Sequence, residues 1–249
     1  MNIVQELGIQ SFCFRGSPTN AEVIERLKAC GVAKIELSGR HVDFTDESSF
    51  AGVIQLYRDA GVEIVSIGCQ QLANDPEKEE KYFRFVKQAG ARFMSVNFDI
   101  ATVPDAYRTA ERLAEKYDVR LGIHNHGGWH WLGNRTMLAH VFGQTSERIG
   151  LCLDTAWAID SRHDPVKMAR EFGSRLYGVH LKDFIYHRDR TPEDVVVGTG
   201  ILDLPGLLKA MEEVGFAGYV VLEYEGDVDN PVPALRDCVA AVRKAAGAA

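Results

Sequence analysis

Four residues whose side chains can bind a metal ion stand at the ends of four apolar runs in the second half of the chain. The runs read RLGIHNH, IGLCLD, LYGVHL and YVVLEYE, and the residues are His124, Asp154, His180 and Glu223. Each run has the length and composition of a buried β-strand, and successive runs are about one strand–helix unit apart. If these units close into a barrel, all four side chains meet at one rim and form a metal site.

The residue types in this group favour a transition metal. A single histidine near a strand end more often makes a structural hydrogen bond, so the interpretation depends on the grouping of all four residues. Buried Asp and Glu need a partner, and a divalent cation would compensate both carboxylates. Two imidazoles and two carboxylates suit Mn²⁺, Fe²⁺, Co²⁺ or Zn²⁺ better than Mg²⁺ or Ca²⁺, which prefer oxygen ligands. We therefore predict one divalent transition metal per chain, with Mn²⁺ as the first choice.

The elements that must position these residues repeat every ~30 residues. Helix ends are marked by glycines, and several helix starts are marked by Asp-Pro or Asn-Pro pairs. Eight alternating strands and helices predict a single (β/α)8 TIM barrel that spans residues 1–249. The predicted strands are 7–12, 33–38, 63–68, 92–98, 119–124, 149–154, 176–181 and 219–224. The predicted helices lie near 20–30, 47–60, 76–89, 104–117, 135–143, 164–173, 204–214 and 231–245.

Side chains beyond the ligands are candidates for proton transfer. His126, Lys182 and Glu225 each stand two positions after a predicted ligand, on the same face of the strand. Glu223 is a catalytic candidate as well as a ligand. His126 is preferred as the second group, because the ordinary pKa of histidine lies nearest neutrality. Two alternatives stay open: Lys182 or Glu225 has this role, or His126 only hydrogen-bonds a ligand.

Substrate contacts are predicted on both sides of the site. The tryptophans Trp129, Trp131 and Trp157 follow the fifth and sixth predicted strands. Core packing is the usual role of tryptophan, but this grouping predicts that at least one forms a wall for a sugar ring. In the second strand, alternation turns Glu36 toward the barrel interior, where it is a further candidate contact.

The longest connection, residues 183–202, follows the seventh predicted strand. A loop of this length in a compact domain is usually a lid or a binding loop. It belongs to the rim that carries the active sites of such barrels. His187 and Arg188 could bind an anionic part of the substrate there, although a solvated loop explains them more simply.

Composition and charge argue against several classes of protein. With 249 residues, of which 46% are hydrophobic and 25% charged, the chain is typical of a soluble globular protein. The net charge of −7 argues against a nucleic-acid partner. No apolar run is long enough for a membrane span, and the start MNIVQELGIQ lacks a signal-peptide pattern. The five cysteines are scattered, with Cys69 and Cys152 expected to be buried thiols, which indicates a cytoplasmic protein.

The motifs LCLDTAW, GVHLKD and GTGILDLPGLLKAMEEVGFAGYVVLEYE resemble the xylose isomerase-like TIM-barrel superfamily, often called the sugar phosphate isomerase/epimerase family. The resemblance covers essentially the whole chain. It implies metal ligands at His124, Asp154, His180 and Glu223. It also implies a small-molecule carbohydrate substrate, and it suggests a homo-oligomer, either a dimer or a tetramer.

Two positions depart from the ketose epimerases of this family. Their ligand on the fifth strand is a glutamate, which is His124 here, and their common histidine after the sixth strand is Trp157 here. These epimerases use two metal-bound glutamates as an acid/base pair, of which this chain keeps only Glu223. Neutral imidazole leaves the site about one charge unit more positive, so a bound metal would be a stronger Lewis acid.

The sequence thus predicts an enzyme that removes the proton α to the carbonyl of a sugar, keto-sugar or sugar phosphate and forms a metal-stabilised enediolate. Reprotonation would make it an isomerase or epimerase. Loss of a β-substituent would make it a lyase, like inosose dehydratase or the enzymes that cleave 3-keto-glycosides. More remote alternatives are a nuclease like endonuclease IV, against which the acidic charge argues, and a sugar-binding barrel without a metal.

Overall fold

Short parallel strands and longer helices alternate along the chain. The computed structural model describes residues 3–247. The strands are β1 (Leu7–Gln10), β2 (Lys34–Leu37), β3 (Glu63–Ile67), β4 (Gln70–Leu72), β5 (Phe93–Phe98), β6 (Arg120–His124), β7 (Ile149–Asp154), β8 (Leu176–Leu181), β9 (Asp183–Tyr186), β10 (Pro192–Val195) and β11 (Tyr219–Leu222). The helices are α1 (Ile3–Glu6), α2 (Asn20–Ala29), α3 (Phe50–Asp59), α4 (Pro76–Ala89), α5 (Asp105–Tyr117), α6 (Arg135–Gln144), α7 (Thr155–Asp160), α8 (Pro165–Glu171), α9 (Leu204–Glu213) and α10 (Val232–Ala245). Within residues 3–247, every helix is too short or too polar to cross a membrane.

Nine strand segments form one parallel sheet in the order β3-β2-β1-β11-β8-β7-β6-β5-β4. Its two edge segments, β3 and β4, are consecutive in the chain, and they pair with β2 and β5 respectively. One interrupted strand therefore closes the sheet, and the predicted (β/α)8 barrel is confirmed. A Cβ at Gly68, where the strand is interrupted, would lie 1.6 Å from Ser95 Oγ, so only glycine permits this close approach.

The barrel strands are buried on both faces, as expected for a parallel sheet covered by helices. The larger hydrophobic cluster fills the space between the sheet and the helices. A smaller cluster of Cys152, Tyr219 and Val221 lies inside the barrel, on the strand faces that also carry Asp154 and Glu223. The predicted metal ligands therefore stand above an apolar plug that fixes their strand ends.

The long connection after β8, predicted as a lid or binding loop, contains an antiparallel hairpin of β9 and β10. Asp183 at the start of β9 is buried and organises the return of the chain to α9. Its carboxylate accepts four backbone hydrogen bonds of 2.9 Å, from the N–H groups of Gly198, Gly200, Ile201 and Leu202. The long connection is thus held against the barrel by one buried carboxylate.

Asp183→Asn should lower the free energy of unfolding by roughly 2–4 kcal/mol, because an amide has one acceptor oxygen to offer and leaves buried N–H groups unpaired. Denaturant titration followed by circular dichroism measures the change. Asp189→Asn is the matched control, since Asp189 is exposed in the turn of the same hairpin. It should change stability by less than about 0.5 kcal/mol. Equal stability of the two variants would refute the role assigned to Asp183.

Candidate metal centre and active site

The carboxyl ends of β6, β7, β8 and β11 bring the four predicted ligands together. Asp154 pairs in register with His180, and β6 and β11 flank these two strands. One donor atom from each residue lies within 4.8 Å of the others, and all four residues are buried. The members of this group, called the ligand group below, are His124, Asp154, His180 and Glu223.

Distances within the ligand group suit a shared cation. The Nε2 atom of His124 lies 3.0 Å from His180 Nδ1 and 3.5 Å from Glu223 Oε2. The same atom lies 3.6 Å from Asp154 Oδ2. Glu223 Oε2 also contacts His180 Nδ1 directly. Two imidazole nitrogens and two carboxylate oxygens so arranged could hold a metal ion.

Asp154 shows most directly that this group could bind a metal. Its Oδ1 caps α7 by accepting a hydrogen bond of 2.8 Å from the N–H of Trp157. Its backbone is fixed by two hydrogen bonds of 2.9 Å with the side chain of Asn125. Its Oδ2, in contrast, is buried and has no hydrogen-bond donor. A buried carboxylate oxygen without a donor is costly, and a cation in the ligand group would satisfy it.

The charges of the ligand group are strongly coupled. Burial lowers the pKa of His124, but the nearby carboxylates of Asp154 and Glu223 outweigh burial and raise the pKa to about 9. Burial also opposes ionisation of Glu223, yet the charges of Lys182 and His180 hold its pKa well below the usual range. The site therefore holds an ionised glutamate that requires positive charge nearby.

Glu36 lies beneath the ligand group. It is fully buried, and its Oε1 lies 3.1 Å from His180 Nε2. It also accepts hydrogen bonds from the side chains of Gln10 and Ser95. Glu36 does not line the cavity, so the structure places this predicted substrate contact against the predicted ligand His180 instead. A carboxylate behind a ligating histidine fixes its ring orientation and tautomer.

Glu36→Gln should weaken metal affinity by roughly 10- to 100-fold, because the ring of His180 loses its charged partner. Titration of the metal-free protein with Mn²⁺ measures the dissociation constant. Glu25→Gln, an exposed change on α2, is the control and should leave the affinity unchanged. Identical affinities in the two variants would show that Glu36 does not support His180.

His126 lines the cavity above the ligand group. Its Nδ1 lies 3.0 Å from Asn97 Nδ2 and 3.3 Å from His124 Nδ1. A His124 that binds a metal through Nε2 carries its proton on Nδ1, so both neighbours donate to Nδ1 of His126. The proton of His126 then sits on Nε2, which is the ring nitrogen left for a ligand. Burial and the charge of His124 lower the pKa of His126 to about 4, so this ring is neutral near pH 7.

Lys182 and Glu225, the alternative proton-transfer candidates, bind each other. The ammonium of Lys182 contacts the Glu225 carboxylate and lies 3.4 Å from Asp194 Oδ2 on β10. The rings of Trp157 and Phe184 cover it at 5.4 and 5.8 Å. Lys182 is only 1% exposed and does not line the cavity. The structure thus places Lys182 as a buried cation outside the lining of the cavity.

Asp194 is a residue of this region that the sequence analysis missed. Its Oδ1 is buried without a hydrogen-bond partner, and its Oδ2 faces Lys182. Burial raises the pKa of Asp194 to about 7 against the opposing charge of Lys182. Alternation along β10 indicates which face of the hairpin carries Asp194. Its position beside Lys182 depends on the hairpin register, in which Asp194 stands opposite Phe184. The hairpin is therefore tied to the barrel beside the ligand group.

The three tryptophans occupy different environments, and none of them lines the cavity. Trp129 is 103% exposed at a loop tip. Trp131 is partly buried and packs against the outer hydrophobic cluster. Trp157 lies beside the site, where its ring packs edge-on against Phe184 at 5.1 Å. Trp157 also donates its backbone N–H to Asp154 of the ligand group.

The predicted anion contacts on the hairpin lie away from the cavity. His187 pairs across the hairpin with Glu193 at 2.7 Å, and both side chains are more than half exposed. Arg188 is exposed in the adjoining turn. Both residues therefore lie on the solvated surface of the hairpin, as the simpler interpretation of the loop predicted.

The cavity above the ligand group has a volume of about 250 Å³. Its far side is formed by residues at or just after the carboxyl ends of β1, β2 and β3, none of which was predicted as a substrate contact. They are Gln10, Phe12, Ser38, Gly39, Arg40, Gly68 and Cys69. The prediction of a buried Cys69 is wrong, because the interruption between β3 and β4 exposes it here, whereas Cys152 is buried as predicted. A signal for this side was the SGR motif directly after the second strand.

A larger cavity of about 780 Å³ lies at the opposite end of the barrel. Its charged side chains include a paired set, in which Arg148 lies 2.7 Å from Glu115 and 2.8 Å from Asp118. Active sites of (β/α)8 barrels are built at the carboxyl ends of the strands, which is the other end. The smaller cavity with the ligand group is therefore the candidate active site.

Residues 24–245 match the family model described as "Xylose isomerase-like TIM barrel". The rhizopine catabolism protein MocC of Rhizobium meliloti is 29% identical over 138 residues, covering 50% of this chain and 42% of that protein. The 3-oxo-isoapionate decarboxylase of Pectobacterium atrosepticum is 26% identical over 161 residues, covering 60% and 56%. The matched segments thus span about half the length of these two relatives.

Solved structures show the same architecture. The apo form of the 3-keto-D-glucoside 4-epimerase YcjR from E. coli superposes with a TM-score of 0.74 at 16% identity. The match covers 96% of this chain and 99% of that one. At this identity the likeness shows the fold alone. Dehydratases also occur among the similar proteins, which thus include epimerases, dehydratases and a decarboxylase.

Proposed function

Because the chain belongs to the xylose isomerase-like TIM-barrel family, we propose that it is a divalent-metal-dependent isomerase or epimerase of a sugar, keto-sugar or sugar phosphate. The observation that carries this proposal is the buried ligand group at the floor of a small cavity, with one carboxylate oxygen that lacks any donor. Epimerisation, dehydration and decarboxylation beside a carbonyl share one requirement, which is stabilisation of an enediolate or enolate. The relatives that are named for these reactions support the proposal.

The ligand group would hold the metal, and Mn²⁺ is the proposed ion, with Co²⁺, Fe²⁺ and Zn²⁺ as alternatives. When bound, such an ion supplies Lewis-acid stabilisation of the negative charge that develops on the carbonyl oxygen of the substrate. The two carboxylates of the ligand group offset the charge of a divalent cation. The two imidazoles add no charge when they bind a metal. A carboxylate in place of His124 would weaken the stabilisation of a substrate anion.

Glu223 is the proposed base. Its Oε2 lies within the ligand group, and the residue also lines the cavity. Its second oxygen can therefore accept the proton α to the substrate carbonyl. Lys182 supports this base without lining the cavity. Burial alone would lower the pKa of Lys182, but the charges of Glu223 and Asp154 outweigh burial and raise that pKa above its usual range. The resulting ammonium stabilises both carboxylates without touching the substrate.

His126 is the proposed second proton-transfer group. Its neutral ring presents the Nε2 proton to the cavity, because Nδ1 is occupied by Asn97 and His124. A neutral imidazole can donate a hydrogen bond to a substrate oxygen and exchange a proton with it. In an isomerisation, this group would move the proton between neighbouring oxygens of the substrate while Glu223 returns its proton to carbon.

The size of the cavity favours a single sugar unit. A volume of about 250 Å³ lies below the usual range of pockets for drug-sized ligands. A monosaccharide derivative would fill it, whereas the second ring of a glycoside would have to extend out of the mouth. The proposed substrate is therefore a monosaccharide derivative.

A lyase is the second candidate, and the position of the His126 proton favours it. In a β-elimination, Glu223 would take the α-proton and the bond to the β-oxygen would break. The departing hydroxyl, held by a hydrogen bond from Nε2–H of His126, would leave as water with the proton that Glu223 removed. Glu223 is the one carboxylate of the ligand group that borders the cavity, which suits a reaction without a second carboxylate base.

Product analysis by NMR in D2O distinguishes these reactions. The Mn²⁺-loaded protein would be incubated with a panel of ketoses, aldose phosphates, inososes and 3-keto-glycosides. An isomer or epimer that carries one solvent deuterium supports the isomerase, and a deoxy-keto or cleaved product supports the lyase. Absence of both conversion and deuterium incorporation across the panel, with metal bound, would refute both.

A further inference from the structure

Arg40 is a charged side chain of the cavity that the proposed chemistry does not use. It follows β2 at the carboxyl end of the barrel and lines the same cavity as His124 and His180. Its side chain is exposed at the mouth, whereas the ligand group is buried at the floor. A substrate that contacts both Arg40 and the ligand group must therefore have one binding group at each of its two ends.

The lower part of Arg40 is fixed to the barrel. Its backbone N–H donates to Ser38 Oγ at 3.3 Å, and its Nε donates to the carbonyl of Arg15 at 2.9 Å. Ser38 is itself held by Ser11, whose hydroxyl accepts a hydrogen bond of 2.8 Å from the Ser38 N–H. The guanidinium is thus held at the mouth by its inner nitrogen rather than being free to swing into solvent.

The outer part of Arg40 is available. Within residues 3–247, its Nη1 and Nη2 atoms make no hydrogen bond and no carboxylate lies within 4.0 Å of them. The neighbouring Arg15 is in the opposite situation, because its guanidinium donates to the carbonyls of Phe12 and Glu225 at 3.2 and 2.7 Å. Of the two arginines that meet at this rim, Arg40 is the one with free donors.

We propose, resting on the function proposed above, that the substrate is an acidic carbohydrate whose carboxylate or phosphate group pairs with Arg40 while its carbonyl end binds at the ligand group. A guanidinium with two free terminal nitrogens binds such anions through two parallel hydrogen bonds, which neutral sugars cannot match. The cavity volume of about 250 Å³ is small enough for one monosaccharide to span both positions.

Calorimetric titration of the Mn²⁺-loaded protein tests the inference with three matched probes: D-glucose, D-glucuronate and D-glucose 6-phosphate. We expect at least one acidic probe to bind about tenfold or more tightly than D-glucose. Arg40→Gln should lose most of that preference and leave the affinity for D-glucose unchanged. Whichever acidic probe loses more affinity identifies the carboxylate or the phosphate as the group that Arg40 binds.

Arg58→Gln is the control, because it removes the same charge from the outer surface of α3. It should bind all three probes like the wild-type protein. Equal affinities for neutral and acidic probes, or an acidic preference that survives in Arg40→Gln, would overturn the inference. The readout is binding and not turnover, so failure of the proposed reaction would show separately, as the absence of deuterium incorporation in the NMR panel.

Discussion

Asp154→Asn is expected to abolish metal binding and to lower kcat/KM by at least about 10³-fold, while the fold is retained. The loss corresponds to the several kcal/mol that a Lewis-acid metal supplies. Asparagine keeps an oxygen that can cap α7 through the N–H of Trp157, so the local structure survives. Its amide nitrogen, however, replaces the buried oxygen that lacks a donor and cannot bind a cation.

Elemental analysis of the purified variant measures the metal directly, and circular dichroism reports the fold. The matched control is Asp164→Asn, since Asp164 caps the neighbouring helix α8 through Oδ1 but is exposed and outside the site. The control should keep metal and activity. Full metal occupancy in Asp154→Asn would show that the ligand group is assigned incorrectly.

His126→Gln is expected to lower kcat by roughly 10²-fold with metal content and fold unchanged, within the usual range for general acid–base catalysis. Glutamine can still contact Asn97 but cannot carry a transferable proton at the position of Nε2. KM should change little, because the cavity keeps its size and its metal. Steady-state kinetics together with elemental analysis measure both quantities.

The control for this variant is His140→Gln, which removes an exposed imidazole from α6. Wild-type kcat in His126→Gln would move the proton-transfer role elsewhere. Loss of metal along with activity would instead mean that His126 serves His124, whose Nδ1 lies 3.3 Å away, and does not transfer protons. The two measurements therefore separate catalysis from support of a ligand.

The ligand group could be predicted because its signal is local. Each member stands where an apolar run stops, and the barrel topology brings the carboxyl ends of parallel strands to one rim. The proximity of Asp154 and His180 follows from the strand order alone, because their strands are neighbours and pair in register. The same alternation indicated that Glu36 faces inward, and the structure places it there, with its carboxylate 3.1 Å from His180.

The depth of a side chain in the barrel and its exposure to solvent were not predictable in the same way, because both depend on packing between segments that are distant in the sequence. Alternation gives the face of Glu36 but not its level in the barrel, so a side chain that lies beneath the cavity was predicted to contact the substrate. The exposure of Trp129 depends on how its loop leaves the rim. The contact of Asp194 with Lys182 requires the hairpin register, which the sequence DFIYHRDRTPEDV does not specify uniquely.

The far wall of the cavity was missed for a chemical reason. Metal ligands and bases can be recognised by residue type in the sequence, and these stand on the second half of the barrel. Arg40 and Phe12 carry no such signal, and their role depends on closure of the sheet between β1 and β11. Once the barrel is closed, the ends of the first three strands face the ligand group across the cavity. They form the wall of the cavity that is left for contacts with a substrate.

The rate of solvent deuterium incorporation beside the carbonyl of a keto-sugar, compared between metal-loaded and metal-stripped wild-type protein, tests the central claim most directly. A metal held by His124, Asp154, His180 and Glu223 should be required for that exchange. We therefore expect incorporation in the Mn²⁺-loaded protein, its loss after chelation and its return when Mn²⁺ is restored. Exchange at the same rate in the stripped protein, or in Asp154→Asn, would contradict a metal-dependent reaction at this site.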